Sequence, residues 1–423
     1  MASGHAAQFL VFHALLQPGD EFIASKKLYG GSINQFNHSY KNFGWNVVWA
    51  DSDDPSSFEA AITPKTKAIF VESIANPGGV IVDTRAIAAI AKKHRIPFIV
   101  DNTMATPYLI KPFEHGADII VHSATMYLGG HGTTIAGAIV VSGNFVFASQ
   151  PERFPLYNTP DESYHGLVYA RDLGVGGALG ANLAFLLRIQ TLINRGLGAV
   201  TSPFNAFLIS QGIETLSLRI ERHVSNALAV ARFLEAHPDV ESVNYAGLES
   251  SPYYELGKKY APLGTGGLLS FVIKGGYEAG RAFADGVQLL PVVANIGDAK
   301  SLVIHPASTT HSQLTPEEQL LASTPDPAAC VVTFAGDGVV DAPMLQTQGA
   351  LYAGLPIPAR DGLVFGGWYA TEADAAALAI PGRVNGSEAV ACTDQRVTLH
   401  GAWVSPEQNA AEDARIPILM YHQ

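Results

Sequence analysis

The chain has 423 residues, of which 48% are hydrophobic and 15% charged, and 38 acidic against 26 basic side chains give a net charge of −12. This length predicts two or three domains with proper cores, and the acidic balance disfavours nucleic acid and anionic membrane as partners. No run of 18 apolar residues and no basic leader occur, so we expect a cytoplasmic protein without a membrane span.

Between residues 18 and 145, short apolar runs alternate with helical patterns, as in repeated βαβ units. Helical spacing in this region predicts helices over 56–62 and 85–94. The runs between them are apolar on both faces, which predicts a buried parallel sheet. The predicted strands are 21–24, 47–49, 68–71, 97–101, 119–121 and 138–141.

Longer helical patterns follow at 177–193 and 202–236. Residues 268–273 then predict a strand of a smaller α+β domain. The predicted fold class is therefore α/β, with a large domain over 1–225 and the smaller domain over 226–322.

The composition changes after residue 330. Residues 331–423 carry four Arg, no Lys and ten acidic side chains, against 22 basic and 28 acidic side chains before them. The breaker-rich stretch Ser323–Ala329 precedes this change, so we predict a linker over 323–330. The two cysteines, Cys330 and Cys392, have neither a disulfide framework nor metal-ligand spacing.

Polar residues follow four of the predicted strands. In an open α/β sheet, ligands bind beyond the carboxyl ends of the strands. One acid at such a position is often only a helix cap, whereas four polar strand ends together indicate a binding site. The segments are Tyr29–Gly31, Glu72–Pro77, Asp101–Thr103 and His122–Met126.

A phosphate site is predicted from small residues near helix starts. Gly4 and His5 open the first helix, and Ser123 and Thr125 precede the glycine cluster 129–132, so backbone N–H groups and hydroxyls are available to a phosphate ester. Neither a dinucleotide fingerprint nor a Walker A pattern is present. We predict no metal site, because the histidines of this region are unevenly spaced and no acid joins them: His115, His122 and His131.

Long segments of the chain carry a family resemblance. They are 28–31, 35–38, 72–79, 101–107, 122–132, 202–207, 212–216, 294–298 and 305–311. Over about residues 1–322 the chain resembles the pyridoxal-phosphate enzymes of cysteine and methionine metabolism, in particular O-acetylhomoserine sulfhydrylases. The resemblance implies a fold-type I architecture, a mostly parallel sheet sandwiched by helices, with pyridoxal 5'-phosphate as the cofactor.

The resemblance also implies roles for the strand-end residues. Asp101 would pair with the pyridine nitrogen of the cofactor and keep it protonated, and Asn76 would hydrogen-bond its ring hydroxyl. Tyr29 would stack on the ring and assist proton transfer at the γ-carbon leaving group. The cofactor phosphate would be held by Gly4, His5, Ser123 and Thr125.

Three features depart from the family pattern. Met126 stands where the family has the lysine that holds the cofactor as a Schiff base, and a thioether offers no amine. The strand that carries the family's carboxylate-clamping arginine reads Cys330–Phe334 here, and the next arginine is Arg360. The chain also begins inside the family pattern, without the stretch that lends a tyrosine and an arginine to the neighbouring subunit.

The function implied by the resemblance is γ-replacement on O-acetylhomoserine with sulfide or a thiol, which gives homocysteine or an S-alkyl analogue. The family assembles as homodimers or homotetramers. Met126 predicts that the activity of this chain is impaired and that the cofactor is not covalently attached. Two alternatives stay open: a pyridoxal-phosphate γ-lyase, and a catalytically dead structural or interaction protein.

The C-terminal part resembles other proteins. Its short strands, separated by Gly, Pro and Asp turns, are similar over 331–404 to the small β repeat of internalin-associated bacterial surface proteins, with core aromatics at Phe365, Trp368 and Trp403. Residues 405–423 form a tail whose end resembles the start of a polysaccharide deacetylase. We expect a chimeric or rearranged reading frame. Alternatively, Val331–Phe334 pairs with the sheet of the smaller domain.

Overall fold

The computed structural model describes residues 1–310, 329–335, 344–347, 364–377, 383–384 and 396–404. The chain divides into two compact units, Met1–His311 and Ser312–Gln423. Some residues named from the sequence lie outside the described part of the chain, namely Arg360, Cys392 and the tail 405–423. The finer division of the first unit at residue 225 and the linker over 323–330 stay predictions.

A six-stranded sheet forms the centre of the first unit, with strands β1 (Glu21–Ser25), β2 (Asn46–Ala50), β3 (Thr66–Glu72), β4 (Phe98–Asp101), β5 (Ile119–Ser123) and β6 (Gly137–Val141). The strand order is β2-β1-β3-β4-β5-β6. All six strands lie where the sequence predicts them.

The direction of the last strand differs from the expected parallel sheet. Strands β1 to β5 are parallel to one another, whereas β6 runs antiparallel to β5. A parallel connection needs a crossover of a dozen or more residues, usually a helix. Residues 124–136 form turns rather than a helix, so the chain re-enters the sheet from the edge at which β5 ends.

The sheet is buried on both faces because alternate residues of its strands point to opposite sides. On one face, Phe70 of β3 joins an aromatic cluster in which the rings of Phe36 and Phe70 lie 5.3 Å apart. On the other face, Ile69 and Val71 pack with Ile87 of the helix that follows β3. This two-sided core explains why the strands read as continuous apolar runs.

Helices cover the sheet and continue beyond it. In chain order they are α1 (Gly4–Leu15), α2 (Gly30–Asn34), α3 (Pro55–Ala60), α4 (Thr84–His94), α5 (Thr106–Leu109), α6 (Pro155–Asn158), α7 (Tyr169–Asp172), α8 (Ala184–Leu187), α9 (Arg195–Leu197), α10 (Pro203–Glu214), α11 (Leu216–Glu235), α12 (Tyr254–Tyr260) and α13 (Gly276–Gly286). The predicted helices over 56–62 and 85–94 correspond to α3 and α4. Short 3₁₀ and π turns complete the set at 35–39, 40–43, 112–115, 147–149, 162–164, 188–194 and 306–308.

The predicted helix over 177–193 is wrong in its first part. Residues 177–183 form turns, and the helix begins at Ala184. The reason is local, because Gly176 and Gly180 adopt φ of 76° and 67°, in the left-handed region that interrupts a helix.

The predicted helix over 202–236 is two helices, α10 and α11, which meet at Thr215. Only some of its apolar residues are buried: Leu216 and Ile220 lie in the core, whereas Phe204 and Phe207 are 68% and 55% exposed. Helical spacing therefore identified the helices but not which apolar side chains they bury.

The smaller α+β region has a two-stranded antiparallel sheet of β7 (Val240–Asn244) and β8 (Ser270–Ile273). The strand predicted over 268–273 is thus present from Ser270. Side chains of α11 pack on this region, with Ala227 and Ala231 buried beside Tyr245.

The second unit contains a five-stranded sheet of β9 (Ala329–Ala335), β10 (Met344–Thr347), β11 (Val364–Tyr369), β12 (Arg383–Val384) and β13 (Arg396–Val404), in the order β10-β9-β13-β11-β12, with the helix α14 (Glu372–Ala377). Its core holds Trp368, whose ring centroid lies 4.6 Å from that of Phe334. Phe365 and Trp403 are register partners of β11 and β13.

Strand β9 has partners on both sides within this sheet, antiparallel β10 and parallel β13. Val331–Phe334 therefore pairs inside the second unit, and the alternative in which this segment completes the sheet of the smaller domain is not what the structure shows.

Limited proteolysis is expected to release an acidic C-terminal fragment of roughly ten kilodaltons, because breaker-rich linkers between compact units are cut first. Mass spectrometry of the fragments would place the cut within 323–328, before β9. Slow hydrogen exchange at Val331–Phe334 that survives deletion of 339–423, and with it β10 and β13, would contradict this boundary.

Candidate active site

The carboxyl ends of four parallel strands, β1, β3, β4 and β5, meet at one edge of the six-stranded sheet. The polar segments singled out in the sequence follow these four strands. Hydrogen bonds, register pairs and close approaches connect them to one another and to the start of α1.

Glu72, the last residue of β3, connects two of these segments. Its carboxyl oxygens accept hydrogen bonds from two backbone N–H groups, Oε1 from Tyr29 at 2.7 Å and Oε2 from Asn76 at 3.0 Å. Glu72 is buried, whereas the Tyr29 side chain is 42% exposed. The segments after β1 and β3 are thus held at fixed positions by one buried side chain.

Asp101 ends β4 and is the register partner of Glu72 across the sheet. Its Oδ1 accepts a hydrogen bond from the Thr103 N–H at 2.9 Å, and Thr103 Oγ1 accepts one from the Ser123 N–H at 2.8 Å. Thr103 therefore links the ends of β4 and β5.

The two carboxyl groups have unusual electrostatics. Burial, with a further contribution from the charge of Asp101, raises the pKa of Glu72 to about 8. Burial also raises the pKa of Asp101 to about 6, against hydrogen bonds from Thr103 that lower it. Within the described residues, no lysine or arginine forms an ion pair with either group. A buried and a half-buried acid side by side, without a basic partner, favour a ligand that brings a positive charge.

The start of α1 approaches the segments that follow β1 and β5. Ser3 caps this helix, its Oγ accepting from the Ala6 N–H at 3.0 Å and its carbonyl from the Ala7 N–H at 3.0 Å. The N–H groups of Gly4 and His5 have no protein partner in the described part of the chain. These are the free donors that an anion can use at a helix start.

Gly4 lies directly against the end of β5. A Cβ atom added to Gly4 would be 2.7 Å from Ser123 Cβ, closer than real contacts allow. Glycine is therefore required for the helix start to approach Ser123. The next residue of the same helix start, His5, stacks on Tyr29 with ring centroids 5.9 Å apart, so α1 also approaches the segment that follows β1.

Thr125 and Met126 lie in the turn that follows β5. The Thr125 hydroxyl accepts from the Ala136 N–H at 3.1 Å and donates to the Ala136 carbonyl at 3.2 Å. To donate a hydrogen bond to a phosphate, the Thr125 hydroxyl would thus have to give up its hydrogen bond to the Ala136 carbonyl. Met126 is half-buried and packs on an apolar cluster that includes Met104 and Ala105.

The structure brings all the predicted site residues into one connected arrangement: Gly4, His5, Tyr29, Asn76, Asp101, Ser123, Thr125 and Met126. Sequence reasoning assigned no role to the two residues that connect them, Glu72 and Thr103. Glu72 carried a usable signal, because it is a carboxylate directly after the fully apolar run 68–71. Thr103 carried none beyond its position after a strand.

The histidines form no metal centre in the part of the chain that the structure describes, where no three His, Cys, Asp or Glu side chains meet in a way that could hold an ion. His122 is buried, which lowers its pKa to about 4. Among the described helices, none is long and apolar enough to cross a membrane.

The chain belongs to the Cys/Met metabolism PLP-dependent enzyme family, whose model matches residues 1–328. Within that family it is O-acetylhomoserine sulfhydrylase-like: it is 46% identical over 323 residues to O-acetyl-L-homoserine sulfhydrylase of Leptospira meyeri, covering 76% of this chain and 73% of the relative. It is 45% identical over 322 residues to homocysteine synthase of Schizosaccharomyces pombe, again covering 76% and 73%.

A solved structure of similar fold is that of an O-acetylhomoserine (thiol)-lyase from Campylobacter jejuni, with a TM-score of 0.71, 46% identity and coverage of 76% of this chain and 75% of that one. That structure contains N'-pyridoxyl-lysine-5'-monophosphate at position 205 of its own chain. The fold of the first unit is therefore that of the fold-type I enzymes, as the sequence resemblance implied.

Proposed function

We propose that this chain has the architecture of an enzyme for γ-replacement on O-acetylhomoserine with sulfide or a thiol, and that it binds pyridoxal phosphate without a covalent bond. The observation that carries the proposal is the set of contacts that join the strand ends and the start of α1 around two neighbouring acids, the buried Glu72 and the half-buried Asp101. The names of its relatives support the choice of substrate.

The phosphate of the cofactor fits the start of α1. The free N–H groups of Gly4 and His5 and the hydroxyl of Ser123 supply donors there, and the close approach at Gly4 leaves no room for a larger residue. Thr125 contributes less than the resemblance implies, because its hydroxyl is engaged with Ala136.

The ring of the cofactor fits the other end of the cleft. When bound, pyridoxal phosphate supplies an electron-withdrawing ring that stabilises negative charge next to the amino-acid α-carbon. Asp101 would hold a proton on the ring nitrogen, and a positive nitrogen there would relieve the cost of its buried charge. Asn76 would donate to the ring hydroxyl.

Tyr29 is placed to act on the substrate. Its ring is partly exposed and stacks beside His5 at the start of α1, and it would cover one face of the cofactor. Its hydroxyl would then hold or move a proton at the acetate group that leaves the γ-carbon.

Met126 occupies the position that resembles the family's lysine. Its thioether cannot form the covalent link or shuttle a proton, so we propose that turnover is strongly impaired. This residue favours the second candidate, a catalytically dead interaction protein that uses the C-terminal β module. A γ-lyase would share the same site and the same defect.

We also propose that the first unit assembles as a homodimer or homotetramer. The support is the exposed apolar surface of α10, where Phe204 and Phe207 project from the unit. A stable assembly would cover such side chains.

Replacing Asp101 tests the cofactor site. Asp101→Asn keeps an oxygen that accepts from Thr103 but removes the charge, so we expect pyridoxal phosphate to bind about tenfold to a hundredfold more weakly, as for loss of one charged hydrogen bond. An absorbance titration with pyridoxal phosphate measures this. The control is Asp118→Asn, which alters a carboxyl that accepts from the Phe98 N–H before β5, at the opposite edge of the sheet. Equal affinity in all three proteins would count against the proposed site.

A further inference from the structure

Glu72 is a buried acid that the proposed mechanism does not use. It accepts the backbone N–H groups of two residues that would touch the cofactor ring, Tyr29 and Asn76. We propose that Glu72 is the positioning residue of this site and sets the orientation in which Tyr29 and Asn76 meet the cofactor. This inference rests on the proposed function.

The arrangement requires a side chain with two acceptor oxygens. Tyr29 lies 43 residues before Glu72 and Asn76 only four after it, so the two N–H groups approach from different segments. A carboxyl group accepts from both sides at once, whereas a glutamine presents an NH₂ group to one of the two donors. Glutamine at this position would therefore keep one contact and turn the other into a repulsion.

Tyr29 depends on this contact for its orientation. It precedes α2 with φ of −54° and ψ of 131°, outside the helix, and no side-chain cap of that helix involves it. The hydrogen bond to Glu72 thus fixes the backbone from which the partly exposed ring extends. Gly31 lies under the ring, where an added Cβ would be 2.4 Å from Tyr29 Cε1, so the ring has a defined place.

A purely structural role is the competing explanation, and Asp118 provides the comparison. It is also an acid whose burial raises its pKa, to about 6, and it also accepts a backbone N–H, from Phe98 at 3.0 Å. Asp118 precedes β5 and so lies at the edge of the sheet opposite the site. Loss of either acid should affect folding, but only loss of Glu72 should change how a bound cofactor is held.

The experiment compares the full-length chain with the variants Glu72→Ala, Glu72→Gln and Asp118→Asn. Hydrogen exchange, measured without cofactor, reports how strongly the backbone amides of Tyr29 and Asn76 are protected. Induced circular dichroism of bound pyridoxal phosphate, per mole bound, reports how rigidly the ring is oriented. Glu72→Gln keeps the size of the side chain and serves where Glu72→Ala does not fold.

We expect exchange at Tyr29 and Asn76 to be at least about tenfold faster in Glu72→Ala, and at only one of the two amides in Glu72→Gln. Both variants should lose most of the induced signal, with binding about tenfold weaker. Asp118→Asn should keep the signal, the affinity and the exchange rates at Tyr29 and Asn76.

Two results would overturn the inference. One is unchanged exchange at both Tyr29 and Asn76 in the Glu72 variants. The other is an equal loss of induced signal in Asp118→Asn, which would show that the loss comes from a general decrease in the stability of the protein. If the unaltered chain binds no pyridoxal phosphate, the proposed function fails, and the exchange data alone decide whether Glu72 holds the two segments.

Discussion

Met126→Lys is expected to bind pyridoxal phosphate covalently, whereas the unaltered chain does not. Lysine is close to methionine in length, and Met126 is half-buried in the turn that follows β5, so we expect the substitution to place an amine beside the cofactor without a large change in packing. After borohydride reduction and denaturation, intact-mass spectrometry should find one cofactor per chain in the variant.

Met126→Leu is the matched control, since it keeps an apolar side chain of similar volume and adds no amine. It should remain unlabelled under the same treatment. Labelling of the leucine variant, or of a lysine other than residue 126 in the lysine variant, would mean that another amine reaches the cofactor.

The same Met126→Lys variant is expected to restore little turnover. The segment Cys330–Phe334 supplies no arginine where the family resemblance calls for one to clamp the substrate carboxylate. Loss of such a buried, charge-assisted contact costs about 2–5 kcal/mol, or about 30- to 5000-fold in rate. Formation of homocysteine from O-acetylhomoserine and sulfide measures this effect.

The O-acetyl-L-homoserine sulfhydrylase of Leptospira meyeri is a suitable comparison enzyme. Turnover by Met126→Lys within about threefold of that enzyme, a deficit of only about 0.7 kcal/mol, would show that another group binds the carboxylate.

The strands of the sheet were predictable because each one depends on a short continuous stretch of the sequence. Each strand is a short apolar run bounded by turn residues, and a run that is apolar on both faces is typical of a buried parallel strand. The prediction of a helix over 177–183 was wrong for a reason that is also visible in the sequence, the glycines at 176 and 180. The direction of β6 was not predictable, since it depends on how the turns of 124–136 fold.

The site was predictable only in part. The resemblance singled out by position Asp101, Tyr29 and the residues proposed to bind the phosphate, and the strand-end rule explains why they meet. The roles of Glu72 and Thr103 depend on distances between segments far apart in sequence, which no spacing pattern encodes. The hydrogen bonding of the Thr125 hydroxyl to Ala136 likewise depends on the antiparallel direction of β6.

The most direct test of the account is an absorbance spectrum of the unaltered full-length chain with pyridoxal phosphate, before and after borohydride, followed by denaturation and filtration. The account predicts saturable binding that shifts the cofactor spectrum, and complete release of the cofactor from the denatured chain. Cofactor retained covalently after denaturation, or no binding at all at millimolar pyridoxal phosphate, a concentration that detects affinities as weak as about −4 kcal/mol, would contradict it.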